Sequence, residues 1–127
     1  MALSDLESVL LIFSILQVKH FLSDFVIQTP RMIHEKGIYG ASHGIYHSLW
    51  HSAGTFLAFA WVHPIIGLAT AFFDFLMHYH IDYAKSRVNE LQQLTAKDPA
   101  FWIWLGADQL AHQITYIMLI GWVFFGL

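Results

Sequence analysis

The sequence predicts an all-α, polytopic membrane protein whose four transmembrane helices run up-down-up-down as a bundle. Three observations predict it. Of 127 residues, 57% are hydrophobic and 12% are Asp, Glu, Lys or Arg, the latter about half the ~25% of a soluble globular domain. Mean hydropathy is +0.52, and a soluble domain this small could not hide so much apolar surface inside itself. Four stretches reach the roughly 20 helical residues needed to cross a ~30 Å hydrocarbon core.

The spans run approximately over 3–27, 42–62, 64–83 and 101–125 of a single integral membrane domain, 1–127. In the first, Asp5 and Glu7 stand where a secretory signal would carry basic residues, and the apolar run is too long for a signal, so this helix is expected to be retained. Residues 28–41 contain Thr29-Pro30 and two glycines, turn chemistry that leaves room for a short interfacial piece. Little more than His63 separates the second and third helices, with Pro64 suited to the first turn of the third. Residues 85–97 place Val88, Leu91 and Leu94 at helical spacing among Lys85, Arg87, Glu90 and Lys97; an amphipathic segment lying on the membrane surface is expected there. The fourth span follows. Short connections make consecutive helices antiparallel neighbours. Lys19, Arg31, Lys36, Lys85, Arg87 and Lys97 then all fall on one side, which the positive-inside rule makes cytoplasmic, with both termini outside.

A net charge of −3 without a basic tract leaves no electrostatic footprint for nucleic acid. With no Cys, any metal must be held by His, Asp and Glu. Membrane lipids are the expected surroundings, and a homo-oligomer is left open.

Nine His outnumber six Lys plus Arg, and most lie within apolar runs. An Asp at the centre of a membrane helix costs about 2.5–3.5 kcal/mol on insertion scales, so such residues are candidates for function. They come in pairs four residues apart, on one helix face: His20/Asp24, His47/His51, His78/Asp82 and Asp108/His112. Under the predicted topology all four pairs reach one depth. Three helices carry Asp on the shallower turn and His about 6 Å deeper; the second has His47 in place of the Asp. Eight donors converging on a bundle core suffice for two divalent ions. His43 extends the second-helix stripe, and Asp74 lies where it could orient a ligand His from behind. His34 and His63 read as loop residues and His80 as lying off the ligand face, while the five Trp read as a membrane belt. HFLSDF and HYHIDY form a weak internal repeat, implying a pseudo-two-fold axis along the membrane normal. A single intramembrane His is as often a satisfied core residue as a ligand. Four pairs held only for helix packing would be a poor return, since such contacts contribute about 0.6 kcal/mol each in membranes.

The ordered set His20-x-x-x-Asp24-Phe25, Gln28, a histidine pair, His78-x-x-Ile81-Asp82-x-x-Lys85 and Asp108-Gln109-x-x-His112 resembles the family catalogued as domain of unknown function 3307, over nearly the whole chain. The resemblance implies a small integral protein of a bacterial cytoplasmic membrane, or of a host membrane if phage-encoded, and adds Lys36 to the pattern. More loosely, the chain looks like the membrane-bound metal-dependent hydrolases, an analogy of fold and residue type.

These readings converge on a metal-dependent hydrolase acting on a phosphoester or lipid-derived substrate at the cytoplasmic face. Zinc is the first expected metal, manganese or iron next, because imidazole with carboxylate suits them. Lys36, Lys85 and Arg31 are expected at the mouth to receive an anionic group, and Gln28 and Gln109 to bond substrate or orient ligands. Two alternatives belong to other classes: a carrier or binder of a divalent cation or proton, and a di-iron oxidase, which the chain resembles only in HxxxH.

Overall fold

The computed structural model describes residues 4–127, and every regular element among them is helical. Leu3, where the first expected span begins, lies outside the described residues. Helix α1 (Asp5–Phe21) starts on a capping box in which Ser4 Oγ accepts the Glu7 N–H and the Glu7 carboxylate accepts the Ser4 N–H. It continues as a π-helical segment, Leu22–Ile27. The short α2 (Pro30–Glu35) is capped by Thr29 Oγ1, which accepts the Met32 N–H at 3.2 Å. Helices α3 (Ser42–Ala60) and α4 (Pro64–Leu91) are joined by a tight turn in which His63 Nδ1 accepts the Ile65 N–H. Helix α5 (Pro99–Phe125) ends on Gly126 in the left-handed conformation, φ 67°, where a side chain would be strained.

Helix α3 packs on α4, α4 on α5, and α1 on both α3 and α5, so the four long helices close a ring. Two clusters fix their directions. Ile12 and Leu16 of α1 meet Ala58 and Phe59 of α3, Tyr116, Leu119 and Ile120 of α5, and Ile66 of α4. Residues from the opposite ends of the same helices, Asp24, His47, Asp82 and His112, meet one another. Neighbouring helices are therefore antiparallel, with an apolar core at one end and a polar one at the other. The α3–α4 turn is drawn tight by Gly67, where a Cβ would lie 2.9 Å from Ala60 Cα.

Two expectations change. The segment expected at 85–97 is not a separate surface helix: α4 runs on to Leu91. No Pro or Gly lies between Tyr83 and Leu91 to stop it, and Ser86 packs beside Gly37 of the first connection. Among the described residues, Asp5–Ile27 is the one stretch long and apolar enough to cross a membrane by composition, where four were expected. The reason lies in the core: the Asp and His of α3, α4 and α5 lower the average of helices whose outer faces are apolar.

Burial is inverted. Among the described residues, seventeen polar or charged side chains are buried against eight hydrophobic ones, while Trp50, Leu57, Phe72, Trp102 and Ile103 are more than half exposed.

Candidate metal centre

Each helix brings its donors inward by the four-residue stripe the sequence carries. Asp24, on the π-helical segment, meets the α3 pair: its Oδ1 lies 2.9 Å from His47 Nε2 and 3.4 Å from His51 Nε2. Asp82 of α4 answers from the other side, 3.3 Å from His47 Nε2, His78 Nε2 and His112 Nε2. Asp24 and Asp82, the acids of the HFLSDF and HYHIDY repeats, thus flank His47 in equivalent roles. Donor atoms of Asp24, His47, His51 and His78 all lie within 4.8 Å of one another, as do those of His78, Asp82 and His112. Ligands 2.0–2.2 Å from a tetrahedral zinc are about 3.4 Å apart, so these spacings suit an ion, and His78 belongs to both sets.

Hydrogen bonding fits the same use. Buried polar atoms ordinarily find partners, yet both ring nitrogens of His51, Nδ1 of His78 and Oδ1 of Asp108 have none. The rings of His51, His78 and His112 form a continuous stack, with centroids 3.6 and 4.1 Å apart. Buried His and Asp groups that could hold a metal ion are therefore present in the chain.

Several expected ligands stand differently. His20 belongs to neither set: Nδ1 bonds Tyr116 Oη at 2.9 Å and Nε2 bonds Gln109 Oε1 at 2.8 Å, leaving Asp24 Oδ2 at 3.2 Å. Asp108 is also outside, 3.6 Å from His112 and accepting from Gln109 Nε2. Gln109 thus orients two neighbours of the centre. Asp74 does not back a ligand His; it accepts from Lys19 Nζ at 2.8 Å and Thr55 Oγ1 at 2.6 Å. His43 is held away by Glu35, whose carboxylate accepts its backbone N–H and lies 3.1 Å from Nδ1.

Lys19 and Tyr116 are neighbours of the centre that the sequence does not point to directly. Lys19 is turned inward, lying along Gly54, where a Cβ would meet its stem at 3.2 Å. Its ammonium donates to Asp74 and to the His51 carbonyl, and sits 4.7 Å from the Tyr116 ring centre. Tyr116 and Thr55 stand four residues beyond His112 and His51, so continuing each stripe finds them.

Lys36 is not a free group at the mouth. Its side chain reaches back from the end of α2 and is 7% exposed, with Nζ 3.0 Å from Asp82 Oδ2, 3.3 Å from Asp24 Oδ1 and 3.0 Å from Gln28 Oε1. Burial opposes its charge, but Asp82 and Asp24 outweigh that and hold its pKa above the ordinary lysine range. Arg31 points outward and pairs with Glu35. Beside Lys36 a cavity of about 530 Å³ is lined by Gln28, Lys85, Asn89, Asp108 and Gln109 together with Phe25, Ile33, Phe101 and Leu105. His34, expected as a mere loop residue, also lines it.

Fold and site together define an all-helical bundle with a buried histidine–carboxylate centre opening on one amphiphilic cavity. The chain belongs to the family described as Protein of unknown function (DUF3307), which matches residues 12–126. No curated protein and no solved structure matches it, and the looser likeness to membrane-bound metal-dependent hydrolases finds no support.

Proposed function

We propose that this is a four-span membrane protein with its polar end and both longer connections on the cytoplasmic side, and that it is a metal-dependent hydrolase of phosphoesters or lipid-derived substrates. One observation carries the metal site: buried donors from the π-helical segment and three helices at ligand spacing, with His51 and His78 Nδ1 atoms that have no hydrogen-bond partner. The membrane placement is supported by the inverted burial, since an exterior rich in large apolar side chains around a polar core has its natural solvent in hydrocarbon.

Asp24, His47, His51 and His78 would hold the ion, with Asp82 and His112 adjoining through His78. Zinc suits the imidazole-rich set best, manganese or iron next. When bound, it would lower the pKa of a water and polarise a phosphoryl oxygen. The chain supplies the remainder. Asp108 lines the cavity with an unpartnered Oδ1 able to take a proton, and Lys85 offers charge to an anionic group while the apolar wall accommodates a chain. A carrier would need polar access from both ends, whereas Ile12, Leu16, Phe59, Leu119 and Ile120 fill the other end. Elemental analysis of the protein purified in detergent, with a phosphodiester hydrolysis assay, tests this reading. Stoichiometric zinc, zinc-dependent turnover and loss of both in His78→Ala are expected. No metal, or unchanged metal in His78→Ala, overturns it, and stoichiometric iron with oxygen consumption would favour the oxidase.

A further inference from the structure

We infer that Lys36 is a built-in cation standing where a second metal ion would otherwise sit, so that the centre takes one divalent ion and not two. This rests on the metal-binding reading above and deepens it. The Lys36 ammonium is surrounded by three oxygens, Asp24 Oδ1, Asp82 Oδ2 and Gln28 Oε1, at 3.0–3.3 Å. Three oxygen contacts, two of them from carboxylates of different helical segments, are what a hard dication such as Mn²⁺ or Mg²⁺ selects. The neighbouring set is rich in nitrogen and selects zinc. Asp24 and Asp82 are the carboxylates adjoining both positions, and an ammonium already bridges them.

Charge points the same way. With the imidazoles neutral, the polar core holds four carboxylates: Asp24, Asp74, Asp82 and Asp108. Asp74 has its own partner in Lys19. The three others are matched by Lys36 and one divalent ion. A second dication beside a retained Lys36 would leave uncompensated positive charge in a buried site, which burial strongly disfavours. Removing Lys36 leaves a negative charge and frees three oxygens. A second dication then leaves the core with less excess positive charge than it would beside the retained ammonium, and the oxygens need only draw in by about 1 Å to ligate it. A phosphoester in the cavity would then meet one metal ion and one lysine, the latter serving in place of the second metal.

Metal stoichiometry measured by native mass spectrometry and elemental analysis, after loading with Zn²⁺ and then Mn²⁺, tests the inference on the full chain. Wild type is expected to bind one ion per chain and Lys36→Met two, the second being Mn²⁺. One ion in both, or two in wild type, overturns the inference and leaves the metal-binding reading intact. No ion in either overturns both. Should Lys36→Met fail to fold, amine labelling of zinc- and manganese-saturated wild type decides. Lys36 is expected to react at least tenfold more slowly than the exposed Lys97, and equal rates would mean that metal has expelled it.

Discussion

His51 and His78 stack with ring centroids 3.6 Å apart and planes 24° from parallel, and neither Nδ1 has a hydrogen-bond partner. Two imidazoles from adjacent helices are thus pressed together with nitrogens that only an ion or a water could satisfy. A core shaped for helix adhesion alone would have paired them.

His51 therefore separates metal binding from packing. Because His51 makes only the long 3.4 Å contact with Asp24 and its Nδ1 has no partner, His51→Asn is expected to cost the metal-free protein about 1–3 kcal/mol. Zinc at a hundredfold excess over Kd should stabilise wild type by about 2.7 kcal/mol, and the variant by much less. Thermal denaturation in detergent with and without zinc reads both. A variant keeping the full zinc-induced shift would remove His51 from the site.

The Lys19–Asp74 pair is buried at both ends, so breaking it one side at a time strands a charge. Lys19→Met or Asp74→Leu alone is expected to cost about 3–5 kcal/mol, and the double variant much less than their sum. Chemical unfolding of the four proteins measures the coupling. Simple additivity would show that the two do not depend on each other.

Glu35 couples α2 to α3. The Arg31 side chain, followed by the His43 backbone N–H, lowers its pKa from 4.5 to about 2. The lowered value means this stabilisation is fully present above pH 4.5 and fades as pH falls towards 2. The protection factor of the His43 amide, its exchange rate relative to the intrinsic rate at the same pH, should fall through that window in wild type. Glu35→Gln should show low protection throughout, and a wild-type protection factor that does not change with pH would discount the link.

Topology can be read with single cysteines because the chain has none. In intact spheroplasts a membrane-impermeant maleimide is expected to label Leu127→Cys directly and Lys97→Cys only after permeabilisation. The reverse pattern would invert the orientation. Labelling of both in sealed cells would place both positions on the outer side and contradict the proposed topology.

Much of this site is legible in the sequence because an α-helix repeats a face every four residues or so, and His47/His51, His78/Asp82 and Asp108/His112 declare theirs. Tyr116 and Thr55 follow from the same rule carried one turn further. Lys36 does not: nothing local says that a lysine at the end of a six-residue helix folds back between carboxylates 12 and 46 positions away in the chain. Nor does charge alone reveal that Lys19 turns inward, since its partner Asp74 is 55 residues distant. The long α4 is hidden by its own amphipathic end, which reads as a separate element although no residue breaks the helix.

LSDFVI reads as ordinary helix, yet it winds as the π-helical segment Leu22–Ile27, a form that occurs mostly as isolated turns at functional sites. The aim of Asp24 is therefore stored in the length of a turn as well as in a side chain. Deleting Ser23 would keep every candidate ligand in the chain and still swing Asp24 by roughly 100°, one residue of helix. Zinc content would register the loss. Here the spacing of the chain is itself a component of the site, one that no substitution scan would uncover.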